Sequence, residues 1–377
     1  MSEGTNAYDA SQIEVLEGAE AIRKRPGMYI GSTSERGLCQ LVFEAADRAV
    51  NEVLAGRASL VDITLLPGLG VKVADDGPGV SDLEALLTQI QDWTRALGRH
   101  DVTIGFVGVG PFVVNALSSR LTAEVRREGT RWTQEYARGK AVTPLINTGA
   151  SPGHGTTLTF WADAEIFESV DYPFDKLADR FRELALLNRD LEIHLTDRRV
   201  PDAPRSAQFR YSAGARDFVA FLDEQDEDLV DAQITGFERE EPLMAGTVQV
   251  ALRWRASGEE RIRSFANSRP TLCGTHERGF RDGLAAAVTT YAREHQLLLS
   301  TDPDIDPDHI GEGLTAVVSV KLDAPEFEGA TRGVLGNAAA HTCVEQAVRE
   351  HVNRWLDDHP EAAATVVDRI LRSTRRT

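Results

Sequence analysis

Apolar residues along the first half of the chain recur at helical spacing, then in alternation, then at helical spacing again. Residues 12–24 carry apolar positions three and four apart, and the run stops at Arg25-Pro26-Gly27, a cluster that breaks helices. Residues 38–54 predict a second amphipathic helix. Leu38, Leu41, Val42, Ala45, Ala49 and Val53 share one stripe, and Gly56 stands past its end as a cap. Two alternating runs, 61–65 and 71–74, predict strands joined by a Pro-Gly turn. Further strands are expected at 122–127, 130–137 and 156–161, then a helix over 175–187. This succession predicts an α/β sandwich with helices on one face of a mixed sheet.

The pattern shifts near residues 211–215. Beyond it the sequence predicts a helix at 216–223, strands at 246–254 and 260–267, and a long helix over 278–294. A strand at 314–322 and a helical stretch over 336–372 complete an α+β chain. Its 377 residues exceed one ordinary core, so two domains are expected, 1–212 and 213–377.

Composition narrows the function classes. With 42% hydrophobic and 27% charged residues, the chain reads as a folded globular protein. No apolar run approaches the roughly 20 residues that span a bilayer, and the polar N-terminus lacks a charged-then-apolar leader. The three cysteines, Cys39, Cys273 and Cys343, fit a reducing compartment and are not at metal-ligand spacing. A cytoplasmic protein with no membrane partner is expected. The net charge of −18 repels polyphosphate at long range, so any contact with DNA is expected to be indirect.

Three glycine-bearing segments carry candidate chemistry. In Asp75-Asp76-Gly77-Pro78-Gly79, a carboxylate at a strand end stands beside glycines that let a ligand approach closely. A carboxylate only accepts hydrogen bonds, which suits an adenine amino group, while a plain hairpin turn is the bland alternative. Gly105-Phe106-Val107-Gly108-Val109-Gly110 opens into an apolar helix through Pro111, and loop amides at a helix start form a phosphate site. Neither a dinucleotide fingerprint nor a P-loop accompanies it. In Gly153-His154-Gly155-Thr156 a glycine turn enters a strand; the Thr156 hydroxyl could touch a base or a bound water, and a plain loop into a strand is the alternative.

In order, the helix bearing Glu44-Ala45-Ala46-Asp47 and the three glycine segments resemble the GHKL ATPases. The match narrows to the gyrase B family through residues 8–18, Arg23-Lys24-Arg25-Pro26-Gly27-Met28-Tyr29-Ile30-Gly31, Val113-Val114-Asn115-Ala116-Leu117-Ser118, Gly274-Thr275-His276 and residues 312–320. The resemblance implies a GHKL (Bergerat) sandwich followed by a ribosomal-S5-domain-2-like transducer. It implies ATP as ligand, Glu44 as general base, and Asp75, supported by Thr156, as the reader of adenine. Gly77 and Gly79 would line the base pocket and Gly105, Gly108 and Gly110 the phosphates, with Asp47 and Val109 carried along in the same motifs. Tyr8 and Ile13 match an arm that crosses to a second copy in a homodimer, and Arg332 matches a lysine that reaches the terminal phosphate. Gyrase or topoisomerase subunits are the implied partners.

The departures from that pattern matter as much. Arg48 stands where the family has an asparagine that holds Mg²⁺, and a guanidinium, a donor only, cannot ligate a metal. Three readings are open for it: replacing the metal's charge at the phosphates, disabling the base by pairing with Glu44 at i,i+4, or facing solvent from the helix. Mg²⁺ is therefore doubtful, and no other metal site is expected. Pro78 replaces a pocket-mouth arginine, the segment between Gly79 and Gly105 is short where a lid is expected, and Val107 occupies a histidine position. Ala330-Thr331-Arg332 replaces Gln-Thr-Lys. A standalone protein ending before the family's DNA-cleaving domain is the expectation, with a fragment of a longer protein as the alternative. The expected function is an ATP-binding, dimerising clamp with weak or absent hydrolysis, acting on or alongside gyrase. A working ATPase subunit of a topoisomerase-like assembly and a pocket repurposed for another anion are the alternatives.

Overall fold

The computed structural model describes residues 18–90, 99, 101–105, 108–224, 229–230, 233–256, 258–329 and 333–374. The N-terminal half runs α1 (Gly18–Lys24), α2 (Gly27–Ile30), α3 (Glu35–Leu54), β1 (Val61–Leu66), β2 (Gly70–Asp75), α4 (Leu83–Thr88) and α5 (Pro111–Ala116). It continues with β3 (Ser118–Arg127), β4 (Thr130–Ala137), β5 (Lys140–Ala141), β6 (Ile146–Ala150), β7 (Gly155–Ala162), α6 (Phe174–Leu187), β8 (Ile193–Asp197) and β9 (Arg205–Phe209).

These strands form one sheet in the spatial order β5-β4-β3-β7-β2-β1-β8-β9, with β6 paired to β4. Neighbours are antiparallel except β1 and β8, which run parallel. Period-2 alternation sets the buried face: Val61, Ile63 and Leu65 of β1 lie opposite Asp75, Val73 and Val71 of β2. Asp75 is thus the last inward position of an otherwise apolar series. The α3 stripe (Leu38, Leu41, Val42, Ala45, Ala49) is buried in the same core as Leu177, Phe181 and Leu184 of α6. Phe43 meets Phe181 edge-on at 5.6 Å.

The C-terminal half comprises α7 (Ala215–Leu222), β10 (Thr235–Glu241), β11 (Gly246–Trp254), β12 (Arg261–Ala266), β13 (Arg269–Thr271), β14 (Cys273–Gly274) and α8 (Thr275–Glu294). Then come β15 (Leu314–Leu322), β16 (Phe327–Glu328), β17 (Val334–Leu335), α9 (Ala338–Asp358) and α10 (Pro360–Thr374). A five-stranded sheet in the order β10-β11-β15-β12-β13 packs with α8 and α9, and a small sheet joins β14, β17 and β16. The helical stretch expected over 336–372 is two helices. It breaks at His359, whose backbone is pushed out of the helical region ahead of Pro360 (φ −129°, ψ 64°). Strand β10 escapes sequence reading because it is an edge strand whose Glu238, Arg239, Glu240 and Glu241 hide the alternation.

A third apolar cluster joins the halves: Leu186 and Leu187 of α6 meet Phe218 and Val219 of α7, Ala251 of β11, Phe265 of β12 and Val317 of β15. No helix among the described residues is long and apolar enough to cross a membrane.

Helices α8 and α9 touch through glycine. A Cβ on Gly279 would lie 2.4 Å from the His341 carbonyl oxygen, and one on Gly283 2.5 Å from that of Glu345. On an exposed helix face Gly→Ala stabilises. Here backbone blocks the methyl, so Gly283→Ala should instead cost about 1–3 kcal/mol in denaturant unfolding. His276, in the first turn of α8, is fully buried, and its Nε2 shares a 3.1 Å hydrogen bond with the Thr271 hydroxyl. Burial holds its pKa down to about 4 from 6.5. The unfolded chain therefore binds the extra proton first. Stability from this group is complete above about pH 6.5 and is lost as pH falls toward 4, by up to about 3 kcal/mol. Unfolding curves across that range should show the slope, and His276→Gln should flatten it.

Candidate functional site

Helix α3 carries a polar row at three- and four-residue spacing: Glu44, Asp47, Arg48 and Asn51. Glu44 is fully buried. Its two carboxylate oxygens accept the backbone N–H groups of Gly108 (3.3 Å) and Gly110 (3.0 Å), so the glycine loop's amides close on a carboxylate of the chain itself. Gly105 has no room for a side chain, because a Cβ there would lie 2.1 Å from Glu44 Oε1. Asp47, also buried, accepts the Ile104 N–H at 2.6 Å. Burial, and then the charge of Glu44, push its pKa well above the usual carboxylate range. Asn51 exchanges two hydrogen bonds with the Val102 backbone, each 2.8 Å, and donates to the Asp47 carbonyl. It fixes the start of the glycine loop to α3. Sequence reasoning missed Asn51, although its place four residues after Asp47 put it on the same row.

The end of β2 supplies the second part. Asp75 Oδ1 accepts the Gly77 N–H at 3.0 Å, and Oδ2 pairs with the Arg48 guanidinium. Arg48 also lies 3.7 Å from Glu52. Pairing of Arg48 with Glu44 is therefore corrected: the arginine turns to Asp75 and Glu52. The reason is geometric. The Glu44 carboxylate faces the glycine loop, whereas Asp75 is the sheet position that points up at α3. Burial raises the Asp75 pKa, with the Arg48 charge opposing it. Thr156 is buried, and its hydroxyl accepts the Val80 N–H at 3.1 Å, while His154 Nδ1 bonds the Gly77 carbonyl at 2.8 Å. Thr156 and His154 thus hold the turn after Asp75.

Glu44, Asp47, Arg48, Asp75, Gly77, Gly105, Gly108, Gly110 and Thr156 come together in two adjoining clusters. Gly79 sits against the Arg126 carbonyl of β3, where a Cβ would approach to 2.8 Å. Val109 lies between Gly108 and Gly110, with its side chain buried in the N-terminal apolar cluster. Tyr8, Ile13, Val107 and Arg332 lie outside the described residues. The donor set suits an anion at the loop amides. It does not suit Mg²⁺ at Arg48, which offers only N–H groups and is already committed to carboxylates.

A family model described as DNA gyrase B matches residues 214–377. The gyrase B protein of Streptomyces coelicolor is 42% identical over 96% of this chain and 57% of its own length. The 43K ATPase domain of Thermus thermophilus gyrase B, solved with an aminocoumarin, is 32% identical, with 94% of each chain covered and a TM-score of 0.74. The chain belongs to the DNA gyrase B family. It spans about three fifths of the length of the curated relatives it matches (57% to 60%). The topoisomerase IV ATP binding domain of Francisella tularensis, in complex with a small-molecule inhibitor, is also similar. It is 26% identical with a TM-score of 0.76, over 96% of this chain and 98% of that one. The gyrase B fold, a mixed α+β architecture of the GHKL type, is thus the frame in which both clusters sit.

Arg48 neutralises a carboxylate that is nearly buried. Arg48→Asn should destabilise the protein by about 1–3 kcal/mol at pH 7. Asp75 then takes up a proton more readily, so the penalty should shrink as pH is lowered through its raised pKa. Unfolding of both proteins from pH 7 down to about pH 3, below the ordinary carboxylate range, measures this. An equal penalty throughout would mean that Arg48 packs rather than neutralises.

Proposed function

We propose that this chain binds ATP, or a nucleotide like it, between α3, the end of β2 and the glycine loop, as a gyrase-B-like clamp with weak or absent hydrolysis. The observation that carries the reading is the pair of internal contacts. Glu44 occupies the Gly108 and Gly110 amides, and Arg48 occupies Asp75. The groups that meet phosphate and base in this family are present, and each is liganded by the chain itself. A general base needs a carboxylate oxygen within about 2.6–3.2 Å of the proton it takes. Glu44 spends both oxygens on loop amides, which opposes turnover. An asparagine that could hold Mg²⁺ is replaced by a cation, which removes the metal's natural anchor.

Under this reading 1–212 is the nucleotide-binding domain and 213–377 the transducer, with separate apolar cores supporting the division. Gly105, Gly108 and Gly110 would hold phosphate, Asp75 with Gly77 and Thr156 the base, and Arg332 would approach from the transducer. The N-terminal residues carrying Tyr8 and Ile13 would cross to a second copy. The partner would be gyrase, with DNA reached only through it, in the cytoplasm. ATP, when bound, would supply the binding energy that displaces both internal contacts, so its apparent affinity is reduced by the fraction of closed pocket.

Calorimetry with a non-hydrolysable ATP analogue, with and without Mg²⁺, tests this reading. Wild type should bind weakly and without dependence on Mg²⁺. Arg48→Asn should bind about tenfold more tightly when Mg²⁺ is present, the effect of about 1.4 kcal/mol. Weaker binding by the variant would mean that the guanidinium serves the phosphates. No binding by either protein would overturn the nucleotide reading.

A further inference from the structure

We infer that Arg269 is a positioning residue by which the C-terminal half of the chain holds Gly105, and with it the amides of Gly108 and Gly110, against Glu44. Arg269 opens β13, and its partner across the hairpin is Ala266, which leaves Asn267 and Ser268 as a two-residue turn. Both turn residues have positive φ (47° and 61°), a conformation that fits a tight hairpin and disfavours non-glycine residues. Contacts on both sides hold the turn in place. Asn267 exchanges hydrogen bonds with the Leu322 backbone (2.8 and 2.9 Å), which ties the tip to β15. Ser268 is fully buried against the N-terminal half. The Asn188 amide donates to its hydroxyl at 3.0 Å, and Arg180 of α6 donates to its carbonyl at 3.2 Å.

From this fixed tip the Arg269 guanidinium crosses the seam and donates to the Gly105 carbonyl at 3.3 Å. Gly105 is the residue whose Cα faces Glu44 Oε1 so closely that no side chain fits. A continuous path of contacts therefore runs from α6 and β15 through the hairpin tip to Gly105, Glu44 and the amides of Gly108 and Gly110. Electrostatics favour the same arrangement. Glu44 and Asp47 are two buried carboxylates on adjacent turns of α3, and the Arg269 charge acts on Asp47 against the repulsion between them. Removing that charge leaves the pair less compensated and frees the Gly105 peptide together. The inference rests on the proposed nucleotide site for its use. An anion entering the loop amides would displace Glu44, shift Gly105 and so be felt at the hairpin of the other half.

Amide hydrogen exchange on the full chain, first without nucleotide, tests Arg269 directly. Arg269→Ala should raise exchange at Gly108 and Gly110 by about tenfold or more, while amides of β12 stay within about twofold of wild type. Arg269→Lys, which keeps the charge, should restore most of the protection, a rescue that loss of packing alone would not give. If the alanine variant fails to fold, Arg269→Gln, which retains a donor but no charge, takes its place, with an intermediate loss expected. Wild-type exchange at Gly108 and Gly110 in Arg269→Ala would overturn the inference, as would equal loss in the lysine variant. Binding of the non-hydrolysable ATP analogue is measured in the same samples. If wild type binds none, the nucleotide reading fails, and the loop result still decides Arg269.

Discussion

The carboxylate of Glu44 against the amides of Gly108 and Gly110 is the contact on which this site's arrangement depends. Two unpaired loop amides and one buried carboxylate would each carry a desolvation cost of roughly a few kcal/mol if left alone. Brought together, they satisfy one another and draw the loop onto α3. Asn51 anchors the loop's start, Pro111 sets the first turn of the helix that follows it, and Gly105 passes where any side chain would collide. Asp47 then becomes the strained member, a second carboxylate in a dry notch beside the first.

Glu44 and Asp75 are each held by other groups of the chain itself. Family membership brings Glu44, Asp75, Thr156 and the glycines to their places. The chain's own Arg48 then decides what Asp75 is doing. An asparagine at that position would offer Asp75 only a neutral hydrogen bond, whereas the arginine forms a charge-assisted ion pair with it. Electrostatic self-satisfaction of this sort stabilises the arrangement of these groups that the structure shows.

Much of this architecture was legible from periodicity. The bounds of β4, β11 and β15 fall where alternation begins and ends, and α3 was visible as one apolar stripe. The meeting of α3 with the glycine segment was foreshadowed too, because glycine spacing and the Glu44–Asp47 row are local features. The partner of Arg48 was not. Spacing along one helix offers Glu44 and Glu52 as neighbours, but Asp75 enters only through the register that sets it opposite Val61 on the α3-facing side of the sheet. Asn51 was missed because an amide on a helix looks solvent-facing until the loop that it clamps is in place. The approach of α8 to α9 at Gly279 and Gly283 was missed for the same reason, since a glycine four residues from another reads as a weak helix until a second backbone fills the gap.

The parallel pairing of β1 with β8 has a consequence for how the molecule is made. Val61 finds its partner Ile193 only after more than a hundred intervening residues have been synthesised, and β2 waits similarly for β7. Until then β1 and β2 form a lone hairpin with two open edges, and α3 has no complete sheet to cover. Folding of the N-terminal half is therefore governed by long-range closure and should be slow for its size. During translation the hairpin bearing Asp75 is a sticky surface, exposed to pairing with other nascent chains until β7 and β8 arrive to seal it.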